Sequence, residues 1–365
     1  MLCAVLLLLS LTPLEFESRP TRALSGPSLF QQALMIQQFS FDDPALAGSS
    51  PASSFNAGNA YLGDRSNGAG SLRGRTVVVM HAHPDDEAIF TGVTVRRLAD
   101  RGARVVLVTA TLGDLGASLA PLAPGETLAR RRTAELERAS ELLGVSRLVL
   151  LGKRDSGLPG AADNVHPAAL AAADPSTLAS GVAKVVEQES ADAIVHDDTS
   201  GIYGHPDHVA VNRIGALTAR LTGVTSYETT VDRDHLHDAR PHLIHAAARA
   251  TALPYGIPAD QVELKVTATG EELDVKRAAI GAHSSQIKPD DLSHAAFDDA
   301  YGFEWYLRSG APGVLDLLGG AGSHRGPGGC MSGPASVERP DRMPGSREHR
   351  DEQPGGGHRR CHIAG

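Results

Sequence analysis

Cysteine is nearly missing from this chain: three in 365 residues, Cys3, Cys330 and Cys361, all outside its middle. The core therefore has no disulfide framework, and no thiolate can hold a metal there. Positive charge is also short, with 34 Lys and Arg against 43 Asp and Glu, a formal charge of −9 and a pI near 6.0. That balance argues against a nucleic-acid surface, which needs clustered Lys and Arg, and a neutral or polar small substrate fits better. No long apolar run occurs either. Residues 1–12 are apolar but too short to span a bilayer, so no membrane span is expected. What remains is 41% hydrophobic residues over a length that allows one large domain or two with a sizeable core.

The apolar start has no Lys or Arg ahead of it, and Arg19 and Arg22 follow it, the wrong polarity for an export signal. A cytoplasmic location is the expectation, with export by this segment, or a misassigned start, as the alternatives. Residues 25–75 are rich in Gly, Ser, Ala and Asn without a sustained period and read as a linker, in which 29–41 could form one short helix. From Gly319 onward apolar residues almost vanish, and such a stretch buries too little surface to offset its ordering entropy. The expected division is an N-terminal segment and flexible linker (1–74), a main domain (75–310) and a disordered Gly/Pro/Arg-rich tail (311–365).

The main domain alternates. Apolar, β-branched stretches at 76–80, 104–110, 147–151 and 191–196 read as strands, and 87–101, 126–143 and 176–189 as helices. Gly102 and Gly144 stop the first two helices. This order predicts an α/β fold: a Rossmann-like, doubly wound, mostly parallel sheet with helices on both faces. Further on, 262–267 reads as a strand, 271–283 as a helix, and 301–307, with Trp305, as an aromatic closing segment that packs rather than binds. The tract His235, His237, His242 and His245 reads as structural or solvent-exposed histidines, since a spacing of two and three without carboxylate or cysteine ligand geometry is a weak metal signal.

The chemistry concentrates behind two of the strands. His81-Ala82-His83-Pro84-Asp85-Asp86-Glu87 follows the first strand, where ligands bind in open α/β sheets. Pro84 pushes His83 into an extended conformation and allows a helix to begin at Asp85. His83 and Asp86 can then converge on one point, a pairing that suits a divalent metal such as zinc. The other reading of this stretch is a helix start whose acidic first turn complements the macrodipole. A second cluster, Tyr203-Gly204-His205-Pro206-Asp207-His208, follows the strand at 191–196. Three ligands, His83, Asp86 and His208, leave a coordination position open for water, as catalytic zinc sites do. Thr111-Leu112-Gly113-Asp114-Leu115-Gly116 lacks the spacing of a dinucleotide-binding turn and reads as an active-site loop.

Both clusters together resemble the PIG-L/LmbE-like family of zinc-dependent N-acetylglucosaminyl deacetylases, which includes the mycothiol-pathway deacetylases. The resemblance extends to Arg131-Arg132-Thr133-Ala134-Glu135-Leu136, Arg154-Asp155-Ser156-Gly157 and Ala282-His283-Ser284-Ser285-Gln286-Ile287, and covers roughly residues 73 to 310. It implies a hydrolase acting on carbon-nitrogen bonds other than peptide bonds, which removes an acetyl group from an N-acylated amino sugar or glycoconjugate. Zinc is the expected cofactor, although iron, cobalt or manganese also suit a His2Asp site.

Roles follow from chemistry first. Asp85 sits beside a ligand without being needed as one, and is placed to take a proton from water; the matching aspartate is the family's general base. His205 and Tyr203 are candidate donors to the oxyanion, matching residues that the family uses for charge stabilisation, proton donation and carbonyl polarisation. Asp207 is expected to orient a histidine, His205 by preference, or else to cap the turn. Arg131 or Arg132 is a candidate substrate contact, because a family arginine near this place touches substrate, while an arginine run on a helix is otherwise a solvated face. The competing functions are another metal-dependent amidase or phosphoesterase on the same site, or a noncatalytic sugar-binding module that would have no use for Asp85, His205 and Tyr203. Oligomeric state has no signature in the sequence.

Overall fold

The β-branched run that starts at Thr76 becomes the middle of a sheet that has eight strands among the described residues. The structure, a computed structural model, describes residues 35–38, 70–239 and 241–319. In chain order the elements are β1 (Met35–Gln38), β2 (Thr76–His81), α1 (Asp86–Asp100), β3 (Arg104–Thr111), α2 (Leu128–Leu143), β4 (Arg147–Lys153), α3 (Pro175–Gln188) and β5 (Ala193–Asp197). There follow α4 (Gly201–Gly204), α5 (Pro206–Thr222), β6 (Thr225–Thr230), α6 (Arg233–Asp238), α7 (Ile244–Thr251), β7 (Leu264–Thr267), α8 (Gly270–Ala282), α9 (Pro289–Ser293), α10 (Phe297–Tyr301) and β8 (Phe303–Ser309).

The strand order is β1-β4-β3-β2-β5-β6-β8-β7. Strands β1 to β6 pair in parallel, whereas β8 runs antiparallel to β6 and β7 antiparallel to β8. The chain is thus a doubly wound α/β protein with a mostly parallel sheet. Alternation along the strands divides the core in two. Val77, Val79, Val105, Leu107, Leu148 and Leu150 face α1, α2 and α8, while Val78, Met80, Val106, Val108, Val149 and Ile194 face α3 and α5. Leu98, Leu107, Leu136, Leu143 and Leu148 are fully buried, and each contributes about 1.5–3 kcal/mol by leaving water.

Helix ends follow local chemistry. Thr127 caps α2, Asp174 caps α3 with Pro175 in the first turn, and Thr269 and Glu272 form a capping box on α8. A buried ion pair ties the faces of α1, α8 and β8 together: Lys276 Nζ lies 2.7 Å from Glu304 Oε1. The same carboxylate accepts the backbone N–H groups of Val93 (2.7 Å) and Thr94 (2.8 Å), in the middle of α1.

One expectation changes. Where 29–41 reads as a short helix, residues 35–38 form a strand along the open edge of β4, whose unpaired backbone groups recruit it. The rest of 1–69 lies outside the described residues. Val314, Leu315 and Leu318, just past the expected boundary at 310, are buried; residues 320–365 lie outside the described residues. The aromatic closing segment packs, as expected: it is β8, inserted antiparallel with Trp305 and Tyr306 in the core. Among the described residues no helix is long and apolar enough to cross a membrane.

The strand order reverses between β2 and β5, which lie side by side. Beyond the carboxyl ends of two such strands their connections diverge and leave a crevice. Both polar clusters enter it.

Candidate functional site

The β2–α1 connection is held in an unusual shape. Asp85, which precedes α1, has φ 118° and ψ −29°, a conformation that costs a non-glycine residue on the order of 1–3 kcal/mol. Its backbone N–H donates to Glu87 Oε2 at 3.0 Å, and its carbonyl accepts from Ala88 and Ile89 to open the helix. Asp86 Oδ2 accepts the backbone N–H of His83 at 2.8 Å and closes the turn.

The β5–α5 connection is strained as well. Ile202 has φ 57° inside α4, an outlier for a β-branched residue. Asp198 bridges the turn by accepting from Ser200 N, Ser200 Oγ and Ile202 N, and from Thr230 Oγ1. His205 then caps α5, its Nδ1 accepting the Asp207 N–H at 3.2 Å. Because Nδ1 accepts, the neutral ring carries its proton on Nε2.

The two connections bring His83, Asp86 and His208 together, all buried. Asp86 Oδ2 lies 3.6 Å from His83 Nδ1 and 3.5 Å from His208 Nε2. These separations are long for hydrogen bonds. They do match the edges of a tetrahedron whose centre is about 2.0–2.2 Å from N and O ligands, since such edges are about 3.3–3.6 Å. Two imidazoles and a carboxylate at this spacing can hold a divalent cation. Each ring has a carboxylate behind it. His208 Nδ1 lies 2.7 Å from Asp197 Oδ2, and Asp197 Oδ1 is 3.1 Å from His81 Nδ1. His83 Nε2 lies 3.2 Å from Asp207 Oδ2 and 3.8 Å from Asp155 Oδ1.

The contact with His83 corrects the expected partner of Asp207. Its carboxylate turns to His83 and to Ser156, from which it accepts both N–H (2.9 Å) and O–H; only its backbone meets His205. A second set of groups spaced to hold an ion, His83, Asp155, His205 and Asp207, shares His83 with the first. The Ser156 bonds already engage the Asp207 carboxylate, which suits orientation of His83.

Tyr203 and His205 flank the first set. Tyr203 Oη lies 3.1 Å from His208 Nε2, and the His205 ring meets His83 edge-on at a centroid distance of 4.8 Å. Asp85 Oδ2 accepts from Arg132 Nη2 at 3.1 Å. Arg132 is buried and also donates to Pro84 O and Gly113 O. A Cβ at Gly113, where φ is +61°, would lie 2.3 Å from its guanidinium, so the loop after β3 needs glycine there. Arg131, by contrast, turns away to Glu126 (2.7 Å), and Arg132 is brought to the site as the partner of Asp85.

Electrostatics separate the roles of the two adjacent aspartates. Burial pushes the Asp85 carboxyl up to about 6, against the pull of Arg132 and with the help of Asp86. Asp86 is also buried, but His208 and His83 hold it far below the usual carboxylate range. Burial opposes charge on His208 and His83, yet their surrounding carboxylates raise both. His205 goes the other way: burial, then His83 and His208, push it down to about 3, so it is neutral near pH 7. Burial, followed by Asp86 and Asp85, raises the Tyr203 phenol well above its ordinary value and keeps it an O–H donor.

The sequence motifs did not include Asp197, and they left Glu87, Asp155, Ser156 and His283 without roles. Asp197 had one usable signal, its position as the last residue of an apolar strand beside a polar loop. The histidine-rich tract is dispersed. His242 is buried and stacked on Tyr301, His245 and His235 bond to the Leu236 and Asp299 carbonyls, and His237 is exposed.

Residues 78–219 match the PIG-L family, described as GlcNAc-PI de-N-acetylase. The chain is 37% identical over 256 residues to the 1D-myo-inositol 2-acetamido-2-deoxy-alpha-D-glucopyranoside deacetylase of Kineococcus radiotolerans, covering 59% of this chain and 70% of that protein. It is 33% identical over 288 residues to the protein of the same name from Thermobispora bispora, covering 69% of this chain and 95% of that one. Among solved structures it is similar to N,N'-diacetylchitobiose deacetylase from Pyrococcus horikoshii, with 22% identity and a TM-score of 0.42 over 64% of this chain and 84% of that one.

Proposed function

The chain belongs to the PIG-L/LmbE-like deacetylase family, and from that premise we propose that it is a zinc-dependent hydrolase removing the acetyl group from an N-acetylglucosamine-type sugar or its conjugate. The observation that carries this reading is the pair of adjacent carboxylates with opposite fates. Asp86 shares the spacing of a coordination polyhedron with His83 and His208, while Asp85 stands outside it with a carboxyl pushed up to about 6. The names of the two relatives support an N-acetylglucosaminyl-inositol as the first substrate to test.

His83, Asp86 and His208 would hold the cation, with Asp207 and Asp197 fixing the two rings. A divalent cation there supplies Lewis acidity toward an amide carbonyl and lowers the pKa of water. Asp85, ionised at neutral pH and held at Oδ2 by Arg132, takes the proton from the attacking water. His205 Nε2–H and the Tyr203 O–H are neutral donors on one side of the site, suited to the oxyanion of a tetrahedral intermediate. Arg132 acts on the substrate only through Asp85, and Arg131 is assigned no contact.

The test is acetate release from an N-acetylglucosaminyl-inositol by metal-free and zinc-restored protein. Zinc should restore turnover, and Asp85→Asn should keep the metal while losing a factor of about 10² to 10⁴. Zinc-loaded protein that releases no acetate from N-acetylglucosamine conjugates would refute the reading.

A further inference from the structure

Two consecutive carboxylates rarely face one site, because regular backbone sends neighbouring side chains in different directions. The left-handed backbone at Asp85 removes that restriction and lets Asp85 and Asp86 serve the same crevice. A conformation this sparsely populated persists only where its surroundings over-determine it. Its carboxylate is held by Arg132, but a side-chain bond does not set φ. The bond that does is the one its backbone N–H donates to Glu87 Oε2 at 3.0 Å.

Glu87 does not act alone. Its other oxygen, Oε1, lies 2.7 Å from His283 Nε2, at the end of α8. Both side chains are buried, at 1% and 0% exposure. Among the described residues His283 Nδ1 has no hydrogen-bond partner, so the ring's polar contact there is with Glu87. Docking α8 against α1 does not require such a pair, since apolar side chains of similar volume pack two helices at least as well as a buried ion pair. The function of Glu87 that an apolar residue cannot reproduce is acceptance of the Asp85 N–H.

We propose that Glu87 and His283 are positioning residues for the reaction: His283 anchors the Glu87 carboxylate, which clamps the left-handed backbone of Asp85 and aims its side chain at the attacking water. The inference rests on the assignment of Asp85 as the base. Neither residue touches substrate. Arg132 fixes the far end of the same side chain, so Asp85 is held at both its backbone and its carboxylate.

The experiment uses full-length protein carrying Glu87→Ala or Glu87→Gln, each alone and combined with Asp85→Asn. Zinc-loaded Glu87→Ala should lose kcat by about 10- to 100-fold, the scale of a misplaced catalytic group, with KM changed less than about threefold and metal content unchanged. Glu87→Gln keeps an oxygen for the Asp85 N–H and should recover kcat to within about threefold. In the Asp85→Asn background Glu87→Ala should change residual turnover less than about twofold, because the group being aimed is gone. In the metal-free protein, amide hydrogen exchange at residue 85 should accelerate at least about tenfold in Glu87→Ala and not in Glu87→Gln. Should Glu87→Ala not fold, His283→Ala, which leaves Glu87 unanchored, is expected to give the same pattern. Equal losses in both backgrounds, or unchanged exchange at residue 85, would overturn the clamp and leave the base in place. Wild-type turnover in Asp85→Asn would instead remove the base, and the clamp with it.

Discussion

Replacement of Arg132 by glutamine tests the electrostatics of the proposed base most directly. The guanidinium lies 3.1 Å from Asp85 Oδ2, with both side chains largely out of solvent, and it opposes the effect of burial on that carboxyl. An arginine at this distance lowers a carboxyl pKa by about 1–3 units. Its removal should therefore raise Asp85 from about 6 to a value about 1–3 units higher. The working form is the carboxylate, so activity is lost as pH falls through the pKa, and Arg132→Gln moves that loss upward. With a pKa of about 6 roughly nine-tenths of the molecules are ionised at pH 7; after the shift the fraction is about one-half to one-hundredth, a fall of about 2- to 100-fold in kcat/KM. The displacement of the acid limb is the prediction, since a cation bound at Asp86 lowers both limbs alike. The assay is kcat/KM against pH for wild type, Arg132→Gln and Arg132→Lys, with Lys expected to hold the limb closer to its place. A limb unmoved in Arg132→Gln, despite normal metal content, would refute either Asp85 as the titrating group or Arg132 as the charge that tunes it.

Other consequences can be measured separately. Asp197→Asn removes the carboxylate behind His208 and should weaken zinc binding by about 10- to 100-fold in a chelator competition; unchanged affinity would show that His208 needs no such orientation. His205→Ala and Tyr203→Phe should lower kcat by about 10²- to 10³-fold with smaller changes in KM, and a rise in KM at constant kcat would reassign either group to substrate positioning. Lys276→Ala leaves Glu304 buried without its cation and should cost about 3–5 kcal/mol in urea unfolding. The Lys276 stem also packs over Gly92, where a Cβ would lie 3.2 Å from its Cγ, so a loss under about 1 kcal/mol would mean that helix packing and solvent relieve the charge.

Much of this protein is written in short-range pattern. Runs of Val, Ile and Leu between glycine-stopped amphipathic stretches specify strands and helices, and their alternation specifies a parallel, doubly wound sheet. The proposed ligands His83 and Asp86 are legible because the tight turn through Pro84 and Asp85 brings residues three apart together, and His205 and His208, with Tyr203 just ahead of them, bracket the first turn of α5. Tertiary structure decided the partners. Asp207 stands two residues from His205 but gives its carboxylate to His83, on another strand's connection, because α5 begins at Pro206 and turns that side chain back toward β2 and Ser156. Asp197 behind His208, Arg132 on Asp85 and His283 on Glu87 are likewise pairs between separate elements. Residues 35–38 became a strand because β4 had an open edge to fill, and the reversal of β8 follows from its place beside β6. Periodicity and turn chemistry act over a few residues and are visible in the chain itself, whereas the choice of which buried charge meets which depends on how the layers stack once the sheet has formed.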